Sequence, residues 1–458
     1  MAVKPAPLLR QLGLVSATAL VVSNMVGAGI FGTTGFMASA LGSPKLILLA
    51  WSVGALFAMA GALSYSELGV NLPSSGGEYV YLTRAYGPAW GFMTGWASFF
   101  AGFSAPIATA ALIFSNYVGY FFPVFDQSNV MFTIGSGAMS LRLGGAQLLA
   151  SALIAAFTTL NCFGVARVAR IQNALTGAKV VVIVCFVFFG FAVGTGSWEN
   201  LSETAPRDTT QALPVAFAIQ LLFVMVGYSG WNAATYVAEE LKEPERTLPS
   251  ALAIGTLLVT LMYLGLNLIF LYSTPVAGLK GVVAVGKVSA QNLFGPPGAA
   301  LFSGLMAVSI LSTVNAMVTF GPRVYYAMAK NGAFLRAAAG VHPRFRTPIV
   351  AIVSQGLCAI LMTLTPIPDL FVFIGFSLTF FSVLSVASLF LFRRRPGWQR
   401  LNAVSFLFPL IPVSYILVGV GMIVYGILFA PTVSLAALAT IGLGAGVYHL
   451  TAGRKARA

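Results

Sequence analysis

Apolar residues run through this chain in long blocks separated by short polar segments, and inside the blocks the helical alternation of apolar and polar faces is missing. "LGLVSATALVVSNMV" (12–26) and "LILLAWSVGALFAMAGALSY" (46–65) are apolar all round, whereas a surface helix of a water-soluble domain keeps a polar face. Crossing a bilayer takes about 20 such residues. About twelve stretches qualify: 12–36, 46–70, 89–120, 146–164, 172–195, 212–236, 250–273, 298–328, 348–366, 370–392, 404–428 and 432–450. The first is too long for a signal peptide and has no A-x-A-like processing site.

Composition agrees with the pattern. Of 458 residues, 58% are hydrophobic and 8% charged, against roughly 25% charged in soluble domains. The expected fold class is an all-α polytopic membrane protein. The net charge of +14 suggests nucleic acid at first sight, but its placement argues otherwise. With the N-terminus inside, the outer loops hold only Lys45, Arg142, Arg207, Lys280 and Lys287, and Lys179 lies within a span. The other basic residues, among them the run Arg393–Arg395, fall on inner segments. The positive-inside rule then places both termini in the cytoplasm, and the excess charge attracts anionic lipid headgroups. No nucleic-acid partner is expected. Cys162, Cys185 and Cys358 lie in or beside predicted spans, and His342 and His449 near inner boundaries. Neither a metal site nor a Cys–His nucleophile is supported, and no cofactor is expected.

Within the first span, "VGAGIFG" (26–32) spells G-x-G-x-x-G. A dinucleotide turn needs a strand before it, a helix after it and an acidic residue about 20 positions on. The flanks are membrane-like, position 52 is Ser52, and the first acidic residue is Glu67. Two readings of the glycines are left. Ala28 and Gly32 have the small-x-x-x-small spacing of close helix packing. Alternatively the glycines break the helix, and the sixth span, "FVMVGYSGWNAATYVAEEL", has its own cluster at Gly227 and Gly230. Paired interruptions at corresponding places of two halves point to a transporter built from inverted repeats. An unwound turn frees N–H groups at the start of one half-helix, suited to a carboxylate, and C=O groups at the end of the other, suited to an ammonium. The expected organisation is a first five-helix repeat over 1–195, a second inverted repeat over 196–395, and two further helices with a basic tail over 396–458.

Five segments carry a family resemblance: "NMVGAGIFG" (24–32), "SYSELGVNLPSSGGEYVYLTRAYG" (64–87), "TGAKVVV" (176–182), "GYSGWN" with the following "VAEELKEPERTLP" (227–249), and "FGPRVYYAMAKNG" (320–332). Together they resemble an amino-acid permease of the amino acid–polyamine–organocation superfamily, closest to the L-type exchanger branch. The resemblance implies a 5+5 inverted-repeat core with broken first and sixth helices. It puts the substrate carboxylate on backbone N–H groups at Ala28 and Gly29, with Ile30 close by. The amino group falls to carbonyls at Met25 or Val26 and at Val226 or Gly227, with Ser229 in the same turn. Many relatives have Ser where this chain has Ala28, and large-substrate members place an aromatic where it has Val226.

Lys179 is charged and sits inside the fifth predicted span. A charge near mid-bilayer costs roughly 2.5–3.5 kcal/mol even on permissive scales. Either its long stem snorkels toward the inner interface, nine residues from Arg170, or it is functional. Similar exchangers place a lysine there in the position of a sodium ion, which implies sodium-independent transport. The ammonium would then bridge first-span carbonyls to eighth-span groups such as Ser309, Ser312, Thr313 or Asn315. Tyr228 and Trp231 read equally as gate aromatics or core. Glu78 and Arg84 read as an inner-gate pair, the acidic and basic residues at 239–246 as a solvated loop, and Asn200 as part of a glycosylation sequon.

The resulting expectation is a secondary transporter of small or neutral L-amino acids working by alternating access, sodium-independent and more an exchanger than a net importer. The inner membrane of a prokaryote is its expected place. A proton-coupled symporter using Lys179 is the alternative within the class. An enzyme lacks a convergent catalytic set, and a channel lacks a repeated filter-like loop. Residues 121–142 contain no Cys, so no disulfide-linked ancillary subunit is expected.

Overall fold

The computed structural model describes residues 10, 12–73, 76–137, 140–163, 165–330, 334, 336–345 and 347–451. Among these residues nine helices are long and apolar enough to cross a membrane, and a bent pair at the N-terminus makes a tenth span. The bent pair is Leu14–Met25 with Ala28–Leu41. Two shorter apolar helices, Gly177–Val193 and Ile349–Met362, take the fifth and ninth places. Every apolar stretch read from the pattern therefore falls on a helix. The third-to-fourth connection carries an antiparallel hairpin, Val130–Ile134 with Leu141–Gly144. Its first strand is exposed along its whole length.

Packing follows the two halves of the chain. The first span meets the sixth, the second packs along the seventh, the third along the eighth and the fourth along the ninth. Each of these pairs joins spans five places apart in the chain. The tenth span (Ile367–Phe392) is 72% buried over its most apolar window, whereas the eleventh (Leu410–Phe429) and twelfth (Pro431–Thr451) are each 28% buried. The last two spans thus sit at the periphery. Leu56, Leu261, Leu301, Leu361 and Leu417 point outward and are exposed. Such leucines are costly in water and at home in hydrocarbon.

Where the chain leaves the tenth span, Arg393 departs from the expected row of headgroup-facing arginines. Its guanidinium turns inward and donates through Nε to Glu67 Oε1 at 2.7 Å and through Nη2 to Glu67 Oε2 at 2.5 Å. The Glu67 side chain is fully buried. Trp398 Nε1 and the Leu401 backbone N–H complete its coordination at 2.8 and 3.1 Å. One carboxylate at the inner end of the second span therefore organises the whole connection from 393 to 401. Removing one member of a buried pair leaves the other charge uncompensated, at a cost of about 3–5 kcal/mol. Glu67→Ala should lower the melting temperature of the purified protein sharply, and Arg394→Ala, at an exposed position, should leave it nearly unchanged. Equal melting of the two variants would contradict this account of the junction.

Candidate functional site

The first span breaks after Met25. Val26 and Gly27 are extended, and the two half-helices meet at 43°. Gly27 gives the second half, Ala28–Leu41, no side-chain cap, so its first-turn N–H groups face the break with the positive end of the helix dipole. Ala28 occupies the first helical position; its side chain lies outside the described residues.

The sixth span stays helical from Leu213 to Tyr228, then unwinds. Ser229 is extended, Gly230 has φ +97°, and a tighter helical segment resumes at Ala233–Glu240. A positive φ of that size suits glycine. The break lies a turn beyond the carbonyls singled out from sequence, at 229–232.

The two breaks cross backbone to backbone. A Cβ on Gly29 would stand 2.6 Å from Gly227 Cα, and a Cβ on Gly230 would stand 2.9 Å from the Asn24 carbonyl. Below them, Leu12 N–H donates to Glu240 O and Lys242 N–H to Leu12 O, at 3.0 and 2.9 Å. Three contacts, running in opposite directions along the two chains, thus tie the first and sixth spans together. On the far side of Gly227 lies the Trp51 ring, 2.7 Å from where a Cβ would be. Gly29 and Gly227 are constrained by this crossing itself, and Gly32 by the third span, where a Cβ would stand 2.7 Å from Ile113 Cδ1.

Carbonyls at the breaks find side-chain partners. Tyr263, fully buried on the seventh span, places its hydroxyl 2.6 Å from Met25 O and 2.9 Å from Gly227 O. A phenol has one proton, so one of these two carbonyls keeps a lone pair free for another donor. Ser229 Oγ donates to Val226 O at 2.7 Å. Lys179, 1% exposed, donates from Nζ to Val26 O and, at 3.4 Å, to Ser23 O. The lysine is thus turned into the break rather than toward an interface. Of the eighth-span residues named for its bridge, Ser309 and Ser312 donate instead to carbonyls of their own helix. Thr313 Oγ1 is buried with no partner, beside Gly27.

Met25, Val26, Gly29, Ile30, Val226, Gly227, Ser229 and Lys179 are therefore gathered at one place. Tyr228 is fully buried, edge-on to Trp51 and tilted against Tyr263. Trp231 is 4% exposed and packs edge-on to Tyr65. Both stand in the core around the break. Arg84 makes no ion pair with Glu78 among the described residues. Glu78 Oε1 instead accepts from Tyr65 Oη at 2.6 Å and Asn232 Nδ2 at 3.2 Å. Asn200 turns inward, donating to Tyr272 O at 2.9 Å. Tyr263 and Trp51 were missed in the sequence, where an aromatic in an apolar run reads as core. Also missed was the π-helical turn Ser98–Ser104 of the third span, a form that recurs at functional sites.

The side of the crossing toward the C-terminal end of Ala28–Leu41 is closed by aromatic rings. Phe36, Phe223 and Phe371, from the first, sixth and tenth spans, meet with ring centroids 5.3–6.2 Å apart. Gly281 N–H donates to Gly35 O at 3.0 Å, and Lys280 pairs with Asp208 at 2.6 Å. At the opposite edge of the break, Asn24 is exposed.

A polytopic membrane protein with two mutually crossing helix breaks has the construction of a secondary transporter. A model of the amino acid permease family matches residues 12–442, and the chain belongs to that family. The serine/threonine exchanger SteT of Bacillus subtilis is 30% identical over 456 residues, 98% of each chain. The mouse large neutral amino acids transporter small subunit 2 is 30% identical over 449 residues, 96% of this chain and 81% of that one. The human Asc-type amino acid transporter 1 is 28% identical over 449 residues, 96% and 82% of the two chains.

Two predictions arise from this geometry. Gly29→Ala should abolish amino-acid binding and also lower the melting temperature, because its methyl collides with protein backbone; Tyr263→Phe should keep the fold and weaken binding about tenfold, the value of ~1.4 kcal/mol. Normal binding by Gly29→Ala would remove the crossing from the site. The second concerns Glu78, whose carboxyl is raised by burial from 4.5 to about 7, against the hydrogen bonds from Tyr65 and Asn232. A raised carboxylate contributes stability at low pH that is lost as pH rises through its folded value. Wild type should therefore melt lower at about pH 8 than at about pH 6, and Glu78→Gln should shrink the difference. An undiminished difference would assign the titration to another group.

Proposed function

We propose that the chain exchanges small or neutral L-amino acids across the membrane by alternating access, without sodium. One observation carries this reading: the crossing of the two breaks brings an uncapped helix N-terminus and a set of freed carbonyls to the same point. In the proposed complex, the carboxylate lies on the N–H groups of Ala28, Gly29 and Ile30. The ammonium takes the carbonyl of Met25 or Gly227 that Tyr263 leaves free, with the Val26 and Val226 carbonyls and Ser229 lining the same turn. Thr313 is a further donor to a polar substrate side chain.

Substrate size follows from the walls. The Gly29–Gly227 contact and the Trp51 ring behind Gly227 leave little room. No acidic residue lies within 12–36, 89–120, 212–236, 298–328 or 370–392, so a cationic side chain would lack a partner. The names of the relatives, a serine/threonine exchanger and an Asc-type transporter among them, point the same way. Lys179 takes the role of the coupling cation: its ammonium holds Val26 O and Ser23 O permanently, where a sodium ion would come and go. With the outer path closed and Asn24 exposed, we assign the conformation as inward-facing. The reading keeps both termini in the cytoplasm, the repeats at 1–195 and 196–395, and a chain that works without a disulfide-linked subunit.

The test is counterflow by the purified chain alone in liposomes. Unlabelled L-serine outside should accelerate efflux of labelled L-serine, equally in sodium and choline buffers, and Lys179→Ala should slow exchange about tenfold or more. Efflux indifferent to external substrate would argue for a channel. Accumulation driven by a proton gradient and collapsed by a protonophore would replace exchange with proton symport.

A further inference from the structure

A cavity of about 500 Å³ opens on the outer side of the Phe36–Phe223–Phe371 contact. Phe36 forms part of its floor, seven residues beyond Gly29 on the same helix and hence about 10 Å from the crossing. Its walls come from the hairpin, from the segment 281–288 and from the loop 365–368. The Arg142 backbone N–H donates to Leu364 O at 2.7 Å, which fixes the hairpin wall to the opposite loop.

The charges on these walls are unspent. Arg142 and Lys287 both line the cavity, and neither forms an ion pair among the described residues. Asp126 lines it as well, half-buried, and only its Oδ1 is engaged, by Ser128 N–H at 2.9 Å and Ser128 Oγ at 2.8 Å. Gln147, 6% exposed, adds an amide. Unpaired charges of both signs facing one partly enclosed space, with low-dielectric walls to focus their field, are complementary to a ligand that itself carries both signs. The volume lies within the range of small-molecule sites.

We propose that this cavity is a second, outer binding site for a zwitterionic amino acid, whose carboxylate lies on Arg142 and Lys287 and whose ammonium lies on Asp126. It rests on the transport reading above and deepens it: the incoming amino acid is held outside the closed phenylalanine contact while the central site faces the cytoplasm. When the three rings part, the held molecule enters the crossing from a short distance rather than from bulk solution.

Labelled L-serine binding to the purified chain tests the site without requiring transport. Wild type should bind two molecules per chain, the double variant Arg142→Gln/Lys287→Gln one, and Gly29→Ala should keep the outer one. Unchanged stoichiometry in the double variant overturns the proposal. If the central reading is the one at fault, wild type binds a single molecule that the double variant loses and Gly29→Ala retains. In liposomes the double variant should raise the external KM about tenfold while the internal KM and kcat stay fixed, which also shows the variant to be folded. Lys45→Gln/Arg207→Gln removes the same outer charge elsewhere and should leave the external KM unaltered. An equal rise in that control would assign the effect to general surface potential and contradict a built site.

Discussion

The contact between Gly29 and Gly227 sets the geometry of everything around it. Two helices can break inside a bundle only if the freed backbone is satisfied by protein or by a wet cavity. Here the two breaks shelter each other. Because neither residue has a side chain, the chains touch at their backbones, with Trp51 closing the space behind Gly227. A β-carbon at either glycine would force the helices apart and carry the N-terminus of Ala28–Leu41 away from the carbonyls it faces. The proposed site is therefore made of main chain, held in register by three side chains from neighbouring spans: Trp51, Lys179 and Tyr263.

Those three solve different parts of one problem. Tyr263 reaches carbonyls of both breaks with a single hydroxyl, so it couples the first span to the sixth and yet leaves an acceptor unsatisfied for a ligand. Lys179 supplies a charge that carbonyl oxygens alone would favour, and the break supplies the carbonyls that a buried ammonium needs. Trp51 contributes bulk, with its Nε1 unpartnered among the described residues. The outer phenylalanine contact and the inner Glu78–Asn232 link then lie on opposite sides of the crossing, where a rocking motion of one helix group against the other would open one and keep the other.

Much of this was legible in the amino-acid order because the membrane simplifies the problem. A span must be apolar for its full length, so the helices announce themselves, and glycine clusters at 27–32 and 227–230 stand out against that background. Lys179 was legible for the same reason, as a charge where none is tolerated without a partner. What could not be read are contacts whose residues look ordinary in their surroundings. Tyr263 sits in the apolar part of the thirty-residue helix Pro244–Ser273, and its role depends on a hydroxyl meeting carbonyls 36 and 238 positions away. The Glu67–Arg393 pair spans 326 positions, and a basic run at a membrane face has a sufficient local explanation in lipid headgroups. The π turn of "SFFAGFS" has the composition of any other helical turn.

The central claim is that main-chain groups of the two breaks hold both ends of the amino acid. Calorimetric competition separates those ends most directly, using L-serine, its decarboxylated amine and its deaminated hydroxy acid on the purified protein. If the helix N-terminus binds the carboxylate and the carbonyls bind the ammonium, L-serine binds and neither half-molecule displaces it. Displacement by the amine at concentrations comparable to L-serine would show that the N-terminus of Ala28–Leu41 holds no carboxylate, and the account would fail at its centre.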